Sequence, residues 1–139
     1  MTTTRARDER GAAAIFVMLM TVTMLVGGGL VIDGGYALAE RRKLTNQAEQ
    51  AARVGADALD QTSLRDGGAP RVDTGRATIA AARYLAQVGA PRSSTSVVGG
   101  VVTVTLQGHS DTAILSLVGF SRIPVNASAS ARSIDENTP

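Results

Sequence analysis

The sequence predicts an α+β fold: an amino-terminal transmembrane helix continuing into a long helix, a second helix, and a small three-stranded antiparallel sheet with a short helix. Three observations predict it. Residues 12–32 form an uncharged apolar run, a stripe of small residues at helical spacing follows, and the last third of the chain contains a valine-rich hairpin and an alternating strand. Because three short strands cannot cover both faces of a sheet, one face must lie on the helices.

The apolar run has a length that suits a lipid bilayer. Residues 12–32 carry no charge, and Arg10 and Asp33 bound them. As a helix the run would be ~31 Å long, close to the ~30 Å hydrocarbon core of a membrane. A buried helix of a soluble protein is seldom apolar on all faces over this length. We therefore expect a short cytoplasmic head at 1–11, a transmembrane anchor at 12–32, an exported α+β domain at 33–134 and a flexible tail at 135–139.

The orientation follows from chain length rather than from charge. Three basic residues flank each end of the run, so the positive-inside rule does not decide. The short head cannot fold alone, whereas most of the chain follows Ile32. This predicts a single-pass protein of the inner or plasma membrane with its carboxy-terminal domain outside the cytoplasm.

A secretory signal peptide is the alternative interpretation. Ala37-Leu38-Ala39 has the small residues of a cleavage site, and release after Ala39 would give a secreted binding domain. The apolar run is longer than the ~7–15 residues of a typical signal core, and Asp33 lies between it and that site. An uncleaved anchor is therefore preferred.

A stripe of small residues marks the helix that follows the apolar run. Its members recur at spacings of four, three, four and three: Leu44, Ala48, Ala51, Gly55 and Ala58. This spacing places them on one helix face, which another backbone can approach closely. The stripe packs either on its own domain or among copies of itself in a filament, and the pattern leaves both open. The functional expectation is that it packs against another subunit.

A further helix is predicted between two loops. Asp73 or Thr74 can cap it, and it should end near Val88, before Gly89. Its buried face is predicted to contain Ala77, Ala81, Tyr84 and Val88.

The remaining elements are short. Gly99-Gly100 is a two-residue loop that suits a tight hairpin, with Val97 facing Val102. Asp111 to Val118 are expected to form a short helix closed by Gly119. Residues 123–132 alternate between apolar and polar, as in a half-buried strand, and Pro124 restricts that strand to an edge or places the proline at its start.

Composition argues against catalysis, cofactors and nucleic acid. The chain has no cysteine and one histidine, which excludes thiolate chemistry and a His/Cys zinc cluster within one chain. His109 is interpreted as a loop residue, since neighbours such as Ser110 and Asp111 rarely converge on one atom. Aromatic residues make up only 3% of the chain and its arginines are scattered, so no nucleic-acid surface stands out. We expect no catalytic, cofactor-binding or metal-binding residue.

Asp33 is the polar residue of most interest, because a carboxylate at a bilayer edge is costly unless it is solvated or paired. It is expected either to end the span as an interfacial charge or to bond to a neighbouring subunit.

Three segments resemble the TadE/TadG-like family of the tight-adherence (Flp-type) pilus machinery, which is related to type IV pili and type II secretion. They are residues 9–16 (ERGAAAIF), 31–35 (VIDGG) and 41–52 (RRKLTNQAEQAA), in this order and spacing. The resemblance implies a single-pass envelope protein that acts as a minor pilin (pseudopilin) or assembly factor and not as an enzyme. Its partners would be membrane lipid, pilin or minor pilin subunits and the assembly platform, in a homo- or hetero-oligomer, and it would lie in the membrane or in the extracellular pilus.

The sequence departs from this family in two places. Prepilin-like members are processed after a glycine that is followed five residues later by a glutamate; Gly11 and Ala12 match the cleavage point, but the fifth residue is Phe16. Longer members also carry an adhesion domain with an Asp-x-Ser-x-Ser motif, which this chain lacks. The resemblance therefore implies no metal-dependent adhesion.

Overall fold

The computed structural model describes residues 9–61, 65–67 and 71–133. Its helices are α1 (Glu9–Ala56) and α2 (Thr74–Gln87). Its strands are β1 (Arg92–Val98), β2 (Val101–Asp111) and β3 (Arg122–Arg132), and a 3-10 turn, Leu115–Val118, connects β2 to β3. The predicted α+β architecture is confirmed. Most of the predicted head and all of the predicted tail lie outside the described residues.

The apolar run and the small-residue stripe belong to one unbroken helix. With 48 residues, α1 is ~72 Å long at ~1.5 Å per residue. The helix runs through Gly34 and Gly35, where a Cβ atom would meet nothing within 4 Å. Its carboxy-terminal half lies on the sheet, and its amino-terminal half extends away from the domain.

The core lies between α1, α2 and one face of the sheet. The strands are antiparallel in the order β1-β2-β3, and β2 contributes the fully buried Val102, Val104 and Leu106. Leu44 of α1 is also fully buried, and a Cβ at Gly108 of β2 would lie 3.1 Å from its Cδ1 atom. Small residues at these contacts allow helix and sheet backbones to approach closely.

Helix α2 begins as predicted and differs at its last turn. The Asp73 side chain accepts a hydrogen bond from the Arg76 amide at 3.0 Å, which is an N-cap. The buried residues are Ala77, Ala81 and Leu85, not the predicted Val88, which is 38% exposed. Val88 is the C-cap at the end of the helix, beyond its last buried residue, Leu85, while the predicted Tyr84 is partly buried against the core.

The hairpin forms in the predicted register. Val97 pairs with Val102, and Gly99 and Gly100 have φ angles of 58° and 75°. A turn with positive φ at both central residues requires glycine or a residue that tolerates that conformation. Pro124 lies near the start of β3, an edge strand, as the sequence predicted.

Two predictions for the connection between β2 and β3 are wrong. His109 is in β2, paired with Pro124, and not in a loop. The short helix does not begin at Asp111, which is the last residue of β2; only Leu115–Val118 form a 3-10 turn, closed by Gly119 at φ 96°. Strand β2 is longer than predicted because β3 pairs with it over all of its 11 residues.

Candidate functional site

The amino-terminal half of α1 is almost bare of contacts with the domain. Among residues 11–32 only Gly29 is buried. Large apolar side chains such as Phe16, Met18 and Val31 are 66%, 70% and 76% exposed. Among the described residues, α1 is the one helix that is long enough and apolar enough to cross a membrane. An apolar surface of this size marks an interaction with lipid or with another protein.

Asp33 lies where this exposed half meets the domain, and its carboxylate binds a turn of backbone. Oδ1 accepts hydrogen bonds from the amides of Ala113 at 2.8 Å and Ile114 at 3.3 Å. Oδ2 accepts from Ile114 at 3.1 Å and Leu115 at 2.7 Å. The side chain is fully buried in the protein. Asp33 therefore acts as an anionic cap for the turn that leads into the 3-10 segment.

These bonds decide the charge state of Asp33. Burial alone would raise the pKa of its carboxyl, but the hydrogen bonds from the amides of Leu115, Ala113 and Ile114 together lower the pKa below its ordinary value. The ionised form of the carboxyl is thus favoured, and it is hydrogen-bonded to backbone amides of the same chain. Neither sequence interpretation anticipated these partners, which are backbone amides of the same chain.

A second contact fixes the same turn against α1. A Cβ atom at Gly29 would lie 2.5 Å from Cγ2 and 3.0 Å from Cβ of Ile114. Real Cβ atoms do not come this close, so only glycine permits the observed approach. Gly29 lies one helical turn before Asp33, so the two contacts lie on the same side of α1.

The small-residue stripe faces the chain's own core. Leu44, Ala48 and Ala51 are fully buried, and a Cβ at Gly55 would lie 2.9 Å from Val102 Cγ1 and 3.2 Å from the Ala77 carbonyl oxygen. Ala58 is half-buried against the same core. Of the two interpretations left open by the sequence, the structure shows packing within the domain.

His109, Ser110 and Asp111 do not converge. Successive residues of a strand point to opposite faces, so Ser110 is buried on the helix side while His109 and Asp111 are exposed on the other. Within the described ranges, no group of three His, Cys, Asp or Glu side chains is placed to hold a metal ion.

The predicted processing point lies in the first turns of α1. Gly11 and Ala12 are helical and exposed. The sequence does not indicate that residues 113–115 bind Asp33; its one signal is the uncharged, mostly apolar stretch TAILSLVGFS at 112–121.

Comparison with known proteins identifies the helical segment that contains Gly29 and Asp33. Residues 11–58 match the family described as putative Flp pilus-assembly TadE/G-like. The amino-terminal segment is TadE/TadG-like. The match includes the apolar run, Asp33 and the complete small-residue stripe, and it confirms the resemblance found in the sequence. No curated protein and no solved structure matches the chain.

Proposed function

We propose that this TadE/TadG-like chain is a membrane-anchored structural or assembly component, similar to a minor pilin, of a Tad/Flp-type pilus or a related secretion apparatus. Residues 12–32 hold it in the inner or plasma membrane, and the α+β domain lies outside the cytoplasm. The observation that carries the proposal is the exposed apolar half of α1, continuous with a folded domain and contained in the family match.

The contacts of α1 favour retention of the span over its removal. Cleavage after Ala39 would separate the domain from Gly29 and Asp33, leaving the amides of residues 113–115 without their carboxylate. Ala37 also packs against the core in the middle of α1. A domain released at this point would lose part of its own structure, which argues against the secreted binding domain.

The exposed side of the anchor also offers the surface for other subunits. Since the stripe is buried, the large apolar side chains of residues 15–32 provide the contact area for lipid before assembly and for pilin or another minor subunit after it. This proposal requires no enzymatic activity.

The pilus role can be tested by complementation. In a bacterium that assembles a Tad-type pilus and lacks this chain, the full chain should restore filaments. A version starting at Gly28 behind a cleavable secretory signal keeps Gly29 and Asp33 but lacks most of the span, and it should be exported without restoring filaments. Equal restoration by both versions would contradict the proposal. Presence of the chain in sheared filaments would identify a filament subunit, and its restriction to membranes an assembly factor.

Amino-terminal sequencing of the same protein separates the processing alternatives. A start at Ala12 indicates prepilin-like processing after Gly11, and an intact start indicates a simple anchor. A start at Glu40 would indicate release after Ala39 and would contradict the anchored protein.

A further inference from the structure

The connection between β2 and β3 is an apolar loop that extends along the exposed half of α1. Residues 112–121 contain no charged residue. Two large side chains of this loop are mostly exposed: Leu117 is 85% exposed and Phe120 is 67% exposed. Side chains of this kind are rarely left in water together on a small domain.

The loop lies beside the apolar run rather than beyond its end. Ile114 contacts Gly29, and Leu115 and Leu117 line a shared groove with Val22 and Leu25. At ~1.5 Å per residue, Val22 lies ~15 Å along the helix axis from Ile32, where the apolar run ends. If residues 12–32 span the bilayer, this loop lies within the leaflet nearest the domain.

The backbone of the loop is suited to an environment with little water. The three amides of residues 113–115 donate to Asp33. Four further amides in the loop donate to carbonyl oxygens of the loop itself: Thr112 to Ser121, Leu117 to Ile114, Gly119 to Ser116 and Phe120 to Leu115. The Thr112 hydroxyl donates to the Phe120 carbonyl oxygen. In lipid, backbone polar groups must be satisfied within the protein, and the bonds named here satisfy seven of the ten amides of residues 112–121.

Charged residues mark where the loop begins and ends. Asp111 and Arg122 are paired across β2 and β3, and Arg122 Nε lies 3.5 Å from Asp111 Oδ1. Both side chains are more than two-thirds exposed. A charged pair at the two ends of an uncharged loop is the pattern expected where a chain passes through the headgroup region of a membrane.

We propose that residues 112–121 form a second membrane contact, in which Leu117 and Phe120 enter the acyl region of the leaflet nearest the domain. The occupant of this surface is lipid, because the loop continues the apolar surface of the span at the same depth. The inference rests on the proposed membrane anchor. Its consequence is that the domain is held against the membrane at two points, with a fixed tilt, rather than hanging from one helix.

Site-specific labelling tests this directly, because the chain has no cysteine of its own. Single variants Leu117→Cys and Phe120→Cys of the full chain are labelled with an environment-sensitive fluorophore and placed in phosphatidylcholine vesicles that contain lipids with acyl-chain quenchers. Met24→Cys, which is 65% exposed in the wild-type protein and does not line the groove shared with the loop, reports the anchor itself. Ser94→Cys, on the exposed face of β1, is the water-facing control.

We expect blue-shifted emission and quenching at Leu117→Cys and Phe120→Cys that approach those at Met24→Cys, with neither effect at Ser94→Cys. Quenching at Met24→Cys alone would overturn the second contact and leave the anchor intact. A label at residue 117 shielded from both water and the quenching lipids would show a protein neighbour on the loop and would also overturn the second contact. Loss of quenching at Met24→Cys would overturn the anchor.

Discussion

Asp33 and Leu115 are separated by 82 residues in the sequence and are joined by a hydrogen bond of 2.7 Å between the Leu115 amide and Asp33 Oδ2. This bond ties the end of the apolar run to the loop between β2 and β3. With the Gly29–Ile114 contact one helical turn away, it fixes the direction in which α1 leaves the domain. The orientation of the proposed anchor is therefore built into the fold.

Replacing Asp33 should loosen this connection. Asp33→Ala leaves three backbone amides without their acceptor, whereas Asp33→Asn keeps one acceptor oxygen, so the loss of thermal stability should be larger for Ala than for Asn. Circular dichroism of the full chain in detergent measures the unfolding temperature. Glu49→Ala, which removes an exposed carboxylate from the same helix, is the matched control and should change it little. Equal effects of Asp33→Ala and Glu49→Ala would show that the cap does not stabilise the fold.

The contribution of Asp33 should depend on pH. Its pKa is lower in the folded than in the unfolded chain, so the folded state binds the proton less readily. The stability it contributes is present in full above the ordinary value of 3.8 and is lost as the pH falls through the lower, folded-state pKa. The difference in free energy of unfolding between the wild type and Asp33→Asn should thus be largest near neutral pH and shrink in acid. A difference that grows in acid would contradict the lowered pKa.

The contact between Gly29 and Ile114 predicts that two neighbouring glycines respond differently to alanine. Gly29→Ala places a Cβ against Ile114 and should cost ~1–3 kcal/mol of stability. Gly28→Ala meets nothing within 4 Å and should leave stability unchanged or slightly raised, since alanine favours helix. Both are measured by thermal unfolding in the same detergent.

The double variant Gly29→Ala/Ile114→Ala provides the internal control for that contact. It removes the side chain that the new Cβ would strike and should recover part of the lost stability. If Gly29→Ala behaves like Gly28→Ala, the loop does not lie on α1 as described.

Gly55 should be sensitive to substitution because the small-residue stripe is buried. Gly55→Ala brings a methyl group to 2.9 Å from Val102 Cγ1 and 3.2 Å from the Ala77 carbonyl oxygen, and it should destabilise the domain by ~1–3 kcal/mol. Gly35→Ala, in an exposed position of the same helix with nothing within 4 Å, is the control and should stabilise by up to ~1 kcal/mol. Chemical denaturation followed by circular dichroism measures both. If the Gly55→Ala protein kept its stability but failed to bind pilus components, the result would indicate that the stripe packs between subunits and not within the domain.

The elements with strong local signals were predictable from the sequence. The cap at Asp73, the glycine pair of the hairpin and the alternation along β3 each depend on residues close together in the chain, and each appears where it was predicted. The family segment was also recognisable from the sequence, since its motifs are contiguous.

The site around Asp33 was not predictable, because its partners come from a distant part of the chain. Nothing near Asp33 in the sequence indicates that the amides of residues 113–115 bind it. The packing partner of the small-residue stripe was not predictable for a related reason. Small residues at helical spacing indicate that another backbone approaches closely, but they do not indicate whether it belongs to the same chain or to another. The strand assignment of His109 likewise depended on its pairing with Pro124 of β3.

The central claim is that residues 12–32 remain on the mature protein and hold it in a membrane. Alkaline carbonate extraction of cells that express the full chain, followed by intact-mass measurement of each fraction, tests it most directly. The account predicts that the protein stays in the membrane pellet, with a mass that includes residues 12–32. Recovery in the soluble fraction, either as the full chain or as a fragment beginning at Glu40, would contradict it.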